Sequence, residues 1–317
     1  MRNEASTRAL LNVLASIGNT PLVKLNNIVP ANCADIYVKL EYFNPTGSYK
    51  DRMALAIIEN AETRGDITPG STIVEFTGGS TGTSLAFICA VKGYNFKVVS
   101  SDAIAKEKLQ TMRLFGAELD VIESEGGKIT PSLFYKMEAR VKEIIKECGA
   151  YWTKQFTNED AKKGYQKMGE EIIHSLDNVD VFCAGVGTAG MLTGVSRALK
   201  SHNANTIVVA LEPASAAFLS QGIKGSHQVE GIASGIIPPM LSTGSYDSVR
   251  AIDEAGARQM ARLLASKEGI FAGTSSGLNV LAAIELGKEL GPGRTVVTVA
   301  CDSGMKYLAG DLYEQEA

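Results

Sequence analysis

The chain has 317 residues, 45% of them apolar and 21% charged, with a formal net charge of -4. That length and apolar share allow a core divided between two lobes. The balanced charge offers no basic track for a nucleic-acid backbone, and no apolar run reaches the length of a membrane span. Residues Met1 to Ser16 mix polar and apolar side chains and are read as no signal peptide. The five cysteines (Cys33, Cys89, Cys148, Cys183 and Cys301) are scattered, with no Cys-x-x-Cys pair, which is the usage of a reduced, cytoplasmic protein. His174, His202 and His227 lack ligand spacing with one another or with the cysteines, so no metal is expected.

In chain order, Ser16–Leu25 reads as a turn leading into a strand, and Ile36–Glu41 as a second strand. The stretch Asn44-Pro45-Thr46-Gly47-Ser48-Tyr49-Lys50-Asp51-Arg52 follows, with Pro45 and Gly47 punctuating a turn and Ser48 expected as the cap of a helix through Ala61. Lys50 then falls in the first helical turn, at the positive end of the helix. An amine held there is favoured in its neutral form, which suits a nucleophile; taken alone, it also fits a solvated surface lysine.

Strands are predicted at Thr72–Phe76, Lys97–Ser100, Leu119–Ile122 and Tyr151–Thr153. They alternate with helices at 83–92, 106–115 and 131–147. The pattern then restarts. A helix capped within Thr157–Asp160 runs to Ser175, strands occupy Val179–Ala184 and Thr206–Leu211, and a helix between them ends at Lys200. No period holds from Glu212 to Ser248, which marks a functional loop or a partner surface. Helices over Glu254–Ser266 and onward from Gly277 to Leu290, then a strand over Thr295–Ala300, complete the chain. Short β-branched strands alternating with helices predict an α/β fold of two parallel-sheet lobes, with the site in the cleft between them.

Three glycine-rich turns each follow a strand and open a helix: Thr77–Gly82, Gly185–Gly190 and Gly273–Gly277. Such turns present backbone N–H groups and a positive helix end to an anion. None is a P-loop. Gly185-x-Gly187-x-x-Gly190 matches the dinucleotide pattern, and Glu212 lies near its acidic partner position without coinciding with it, so that reading stays open.

In the order and spacing of its motifs the chain resembles the fold-type II pyridoxal-phosphate enzymes of the cysteine synthase and cystathionine β-synthase family. The likeness is carried by Ile17–Leu22, Lys39–Arg52, Gln155–Asn158, Gly187–Gly190, Glu230–Pro238, Gly273–Gly277 and Asp302–Leu308. It implies a tryptophan synthase β-subunit-like architecture, with a smaller mobile substrate-loop domain at 48–152 and a larger cofactor-phosphate domain formed by 1–47 and 153–317. It further implies that Lys50 forms the Schiff base with pyridoxal 5'-phosphate and moves the substrate's α-proton. Gly187, Thr188, Ala189, Gly190 and Met191 would hold the phosphate, and Ser275 would face the ring nitrogen. Thr77, Gly78, Gly79, Ser80 and Thr81, with Gln155, would hold the substrate carboxylate. Ser80 would also reach the cofactor, and Gly231 would lie near the cofactor and the incoming substrate, as part of the substrate-binding set. The implied reaction is β-replacement on O-acetyl-L-serine by sulfide, giving L-cysteine and acetate. Its relatives are replacement with O-phosphoserine or serine and another nucleophile, β-elimination, or a non-catalytic binding role. A homodimer acting on a small amino acid and a small nucleophile is implied as well.

The departures fall in the substrate loop and the phosphate turn. Thr77-Gly78-Gly79-Ser80-Thr81-Gly82 stands where the family reads Thr-Ser-Gly-Asn-Thr-Gly, so one hydroxyl is lost and an amide becomes a shorter hydroxyl. Met191 replaces a threonine, Ala233 a glycine, and Glu159-Asp160 an asparagine-proline pair. Cys183 and Cys301 are read as inert buried thiols and Trp152 as a core aromatic. His227 is a weak candidate for approaching substrate. Lys39, Lys106 and Lys306 are the rival lysines, none of them on a strand-turn-helix connection.

Overall fold

The computed structural model describes residues 9–127, 130–233 and 235–314; Ser234, within the motif Glu230–Pro238, lies outside them. The first part contains strands β1 (Leu22–Lys24) and β2 (Asp35–Leu40), helix α1 (Lys50–Arg64), β3 (Thr72–Phe76), α2 (Ser80–Lys92) and β4 (Asn95–Ser101). Next come α3 (Lys106–Leu114), β5 (Glu118–Ile122), α4 (Pro131–Cys148) and β6 (Tyr151–Trp152). The second part contains α5 (Asp160–Ser175), β7 (Val181–Gly185), α6 (Gly190–His202), β8 (Ile207–Pro213) and α7 (Phe218–Gln221). It closes with β9 (Ser248–Ile252), α8 (Glu254–Leu263), α9 (Thr274–Leu290) and β10 (Thr295–Ala300).

The strands form two sheets, a six-stranded one in the order β1-β2-β10-β7-β8-β9 and a four-stranded one in the order β5-β4-β3-β6. The four-stranded sheet is parallel throughout. The six-stranded sheet is parallel except at one edge, where β1 runs antiparallel to β2 with Leu22 opposite Lys39. β7 is buried along its whole length and β10 along all but its first residue. Their largely apolar sequences are what a strand covered on both faces requires, the one interior hydroxyl, Thr298, donating to the Cys183 carbonyl at 2.7 Å.

Helix α1 is the joint between the two cores. Met53 and Ile57 pack with α5 and α6 on one face of the larger sheet, while Ala54, Ile58 and Ala61 pack with α2 against the smaller one. Its approach to α5 is close: a Cβ on Gly164 would lie 2.4 Å from the Arg52 carbonyl oxygen. The opposite face of the larger sheet is covered by α8 and α9, and that of the smaller sheet by α4.

Three local expectations are corrected. Ser48 is not the residue capping α1; Tyr49 occupies that position without a side-chain cap, and Ser48 Oγ instead accepts from the Lys50 amide at 3.3 Å. β9 was not anticipated within or beside the irregular stretch. It is an edge strand, half exposed, and it carries Arg250, which is ion-paired to Glu289 at 2.8 Å; its hydrophobic alternation is correspondingly weak. α8 ends at Leu263 and continues as a π-helical turn over Leu264–Glu268.

Candidate active site

Lys50 opens α1 on a turn stitched to the exit of β10. The Tyr49 amide donates to the Cys301 carbonyl at 3.0 Å and the Ser303 amide to the Gly47 carbonyl at 3.0 Å. Behind the turn, Asp51 accepts from the Thr46 amide at 2.9 Å and from its hydroxyl at 2.6 Å. Arg52 is clamped between Glu41, at 2.7 Å, and Glu171, at 2.7 Å. Lys39, one of the rival lysines, joins the same network through Glu171 at 2.7 Å and the Thr20 carbonyl at 2.6 Å. Its amine is therefore committed to structure. Lys50 is 8% exposed. Burial lowers its pKa from 10.5 to about 8, against a smaller upward pull from Cys301 and Asp302. Its Nζ lies 4.4 Å from the Tyr49 ring centroid and makes no hydrogen bond or ion pair among the described residues.

The second turn joins β7 to α6. Ala189 has φ 66°, in the left-handed region, and α6 begins at Gly190 with no side-chain cap. The amides of residues 187–191 donate to no protein oxygen among the described residues. Gly187 has no room for a side chain, since its Cβ would stand 2.4 Å from the Gly231 carbonyl oxygen. This fixes Gly231 (φ 83°) against the turn. Tyr165 connects the turn to Lys50: its ring centroid is 5.5 Å from that of Tyr49, and its Cε2 is 3.5 Å from the place of a Gly190 Cβ. Met191 is buried at 5% exposure in the core beneath the turn.

Ser275 lies in the first turn of α9, where its hydroxyl meets the Cys301 thiol. Burial pushes that thiol up to about 12, so Cys301 is a neutral neighbour of Lys50 rather than a thiolate. Cys183, also buried, is likewise pushed up to about 12.

The turn Thr77–Gly82, expected to hold substrate, joins β3 to α2. Thr81 Oγ1 donates to Gln155 Oε1 at 2.8 Å, and Gln155 Nε2 donates to the Phe76 carbonyl at 3.0 Å. Gln155 is thus tied into the loop and keeps one N–H for another partner. It is itself placed by Glu75, a fully buried carboxylate that accepts from the Gln155 amide (2.9 Å), the Thr153 hydroxyl (2.6 Å) and Trp152 Nε1 (3.1 Å). The Gly79 amide donates to Thr77 Oγ1 at 3.3 Å, while the amides of Gly78, Ser80 and Thr81 have no protein acceptor among the described residues. The loss of a side chain at 78 has a steric partner, because a Cβ there would lie 2.6 Å from Ile104 Cδ1. Ser80 Oγ is reached from the other lobe by Lys306 Nζ at 3.3 Å.

The structure therefore links the Lys50 turn to Ser275 through Cys301, to the α6 turn through Tyr49 and Tyr165, and to α2 through Thr46 and Ser84 (3.4 Å). Two features were missed in the sequence. Asp302 is buried, with Oδ2 accepting from the Tyr307 hydroxyl at 2.9 Å and Oδ1 unpartnered. Lys108 on α3 forms an ion pair with Glu230, closing the cleft from one sheet system to the other. Asp302, Tyr307 and Glu230 lie inside motifs that carry the resemblance, but the roles of these side chains, and the pairing of Glu230 with Lys108, follow from no motif. His227 is bound to its own loop, with Nε2 3.0 Å from the Ala233 carbonyl oxygen and Nδ1 accepting from the Val229 amide at 3.2 Å. No cluster of metal-ligating side chains occurs among the described residues, and none of their helices is long and apolar enough to cross a membrane.

The donor set fits a phosphorylated aldehyde. An amine shielded from water and lacking a partner can condense with the aldehyde, and a row of free amides at the start of a helix can receive a phosphate dianion without a cationic side chain. Comparison with known proteins agrees. A family profile described as pyridoxal-phosphate dependent enzyme matches residues 13–302. The chain is 43% identical over 305 residues to a cysteine synthase of Staphylococcus aureus (strain Mu50 / ATCC 700699), covering 95% of this chain and 96% of that protein. It is 35% identical over 310 residues to an O-ureido-L-serine synthase of Streptomyces lavendulae, covering 95% and 92%. The crystal structure of a hydrogen sulfide-producing enzyme from Fusobacterium nucleatum superposes with a TM-score of 0.88 at 40% identity, covering 95% of this chain and 99% of that one. This chain belongs to the pyridoxal-phosphate-dependent enzymes of fold type II, in the cysteine synthase and cystathionine β-synthase family, and is a catalyst of the β-replacement or lyase type.

Proposed function

We propose that this chain carries out β-replacement on an activated L-serine, with a small nucleophile that is not confined to sulfide. The observation that carries the reading is the substrate loop. Ile104 occupies the space of a side chain at 78, and Lys306 engages the short hydroxyl of Ser80. The loop thus departs from the pattern of plain cysteine synthases at 78 and 80, and the likeness to an O-ureido-L-serine synthase points the same way. Cysteine synthesis from O-acetyl-L-serine and sulfide is the second reading, favoured by the 43% identity to the staphylococcal enzyme.

In this reading Lys50 would hold the cofactor through its aldehyde, and its amine, neutral at its lowered pKa, would take the substrate's α-proton. The amides of Gly187, Thr188, Ala189, Gly190 and Met191 receive the phosphate, and Ser275 turns its hydroxyl to the ring nitrogen. Bound there, pyridoxal phosphate supplies an electron sink conjugated to the substrate's α-carbon. Ser275, a neutral hydroxyl, would place no full charge at the ring nitrogen, unlike a carboxylate. Thr77 to Thr81 hold the substrate carboxylate, with Gln155 fixing the loop and Gly231 leaving the approach open. Residues 48–152 act as the smaller unit that closes over the larger one, and the Lys108–Glu230 pair marks the closed form and keeps water from the reacting carbon.

The test is a matrix of donors (O-acetyl-L-serine, O-phospho-L-serine, L-serine) against acceptors (sulfide, ammonia, hydroxyurea), with amino-acid products separated from pyruvate. The reading expects a nitrogen or oxygen acceptor to give product at a rate comparable with sulfide. Product from sulfide alone would favour the second reading, and pyruvate with every acceptor would refute both.

A further inference from the structure

Lys306 stands on the short helical turn Gly304–Tyr307 after β10, far from Ser80 in sequence but in contact with it. Its side chain runs over the Lys50 turn, with Cε 3.8 Å from the place of a Gly47 Cβ, and ends at the first residue of α2. That location is electrostatically awkward for a cation. Helix α2 has 13 residues, Gly79 gives it no side-chain cap, and the amides of Ser80 and Thr81 are free among the described residues. Ammonium and helix terminus therefore meet with like sign.

No carboxylate lies within ion-pair distance of Lys306 among the described residues. Asp302 and Asp51 favour its charge from farther off, and Lys108 opposes it. Asp51 is engaged by Thr46, and Asp302 by Tyr307 through Oδ2 alone, its Oδ1 being unpartnered among the described residues. Burial adds to the mismatch and lowers the Lys306 pKa. A half-buried cation and a bare helix start that share one hydroxyl at 3.3 Å are reconciled by a single anion placed between them.

We propose that Lys306 is a specificity-determining residue of this enzyme, donating with Ser80 and the first amides of α2 to the α-carboxylate of the amino-acid substrate. The proposal rests on the reading of Thr77 to Thr81 as the carboxylate-holding segment. It adds a charged donor from the other lobe, so the substrate carboxylate itself ties the two lobes together.

The experiment titrates the holoenzyme with L-alanine and with L-alaninamide, following the visible absorbance of the bound cofactor. Neither ligand has a β leaving group, so the result does not depend on which donor and nucleophile the enzyme uses. Failure of the β-replacement reading would appear as absent turnover with activated serines while these affinities remain measurable. Lys306→Met is expected to weaken alanine about 10- to 100-fold, the worth of a hydrogen bond to a charged group, and to leave alaninamide unchanged. Lys306→Arg should keep the preference for alanine. Ser80→Asn combined with Lys306→Met, supplying a neutral donor from α2 itself, should restore part of it. Equal weakening of both ligands, unchanged affinity for alanine, or a wild type that binds alanine no better than alaninamide would each overturn the proposal. Lys306→Gln gives the same reading if the methionine variant does not fold.

Discussion

Replacing Lys50 by methionine removes the amine, keeps the length of the side chain, and makes the cofactor-free protein more stable at neutral pH. The buried amine titrates at about 8 in the fold and at 10.5 when exposed. Between these values the unfolded chain holds a proton that the folded chain has released, so stability rises with pH through that window. Below it, both states are protonated and the fold carries the full penalty of burying the charge. At about 1.4 kcal/mol per pKa unit the penalty is about 3 kcal/mol near pH 7 and about 1 kcal/mol near pH 9.5. The assay is denaturant unfolding of cofactor-free wild type and Lys50→Met at both pH values. The variant should exceed the wild type by an amount that shrinks by about 2 kcal/mol as the pH rises. An advantage that stays constant or grows with pH would refute the reasoning, because it would mean that the amine is not desolvated.

Arg52→Met should destabilise the protein by about 3–5 kcal/mol in the same unfolding assay, because it leaves the fully buried Glu41 carboxylate without its partner. Gly187→Ala should cost about 10-fold or more in cofactor affinity, measured by equilibrium dialysis, since its Cβ meets a backbone oxygen at 2.4 Å that cannot rotate away. Glu75→Gln should lower stability by about 1–3 kcal/mol and weaken binding of L-alanine, because an amide nitrogen then faces one of the donors that fix Gln155. Lys108→Ala should change stability by less than about 1 kcal/mol, because the pair with Glu230 is partly exposed, yet it should speed product release in stopped-flow traces.

What the sequence made legible is what local rules encode. The Lys50 turn and the glycine turns each sit between a β-branched run and a helical period, and proline, glycine and hydroxyl residues mark their boundaries. The strand order does not follow from such rules. β1 turned out to be an antiparallel edge, and β9 hid in a stretch whose one charged residue, Arg250, masks the alternation. Side-chain networks were less legible still. Arg52 and Glu171 are 119 residues apart, and Lys306 and Ser80 are 226 apart. Glu75 reads as one charged residue in an apolar strand, and only the fold shows it accepting from Trp152, Thr153 and Gln155 and so fixing Gln155 beside Thr81. Lys306, read from the sequence only as a rival to Lys50, stands 3.3 Å from Ser80, a contact the turn-based argument could not supply.

The central claim is that the amine at position 50 carries the cofactor. Borohydride reduction of the purified holoenzyme, followed by proteolysis and mass spectrometry, tests it directly. The account predicts a pyridoxyl-phosphate adduct on the peptide containing Lys50 and none on the peptides containing Lys39, Lys106 or Lys306. An adduct on any of those three, or a holoenzyme that yields none, would contradict it.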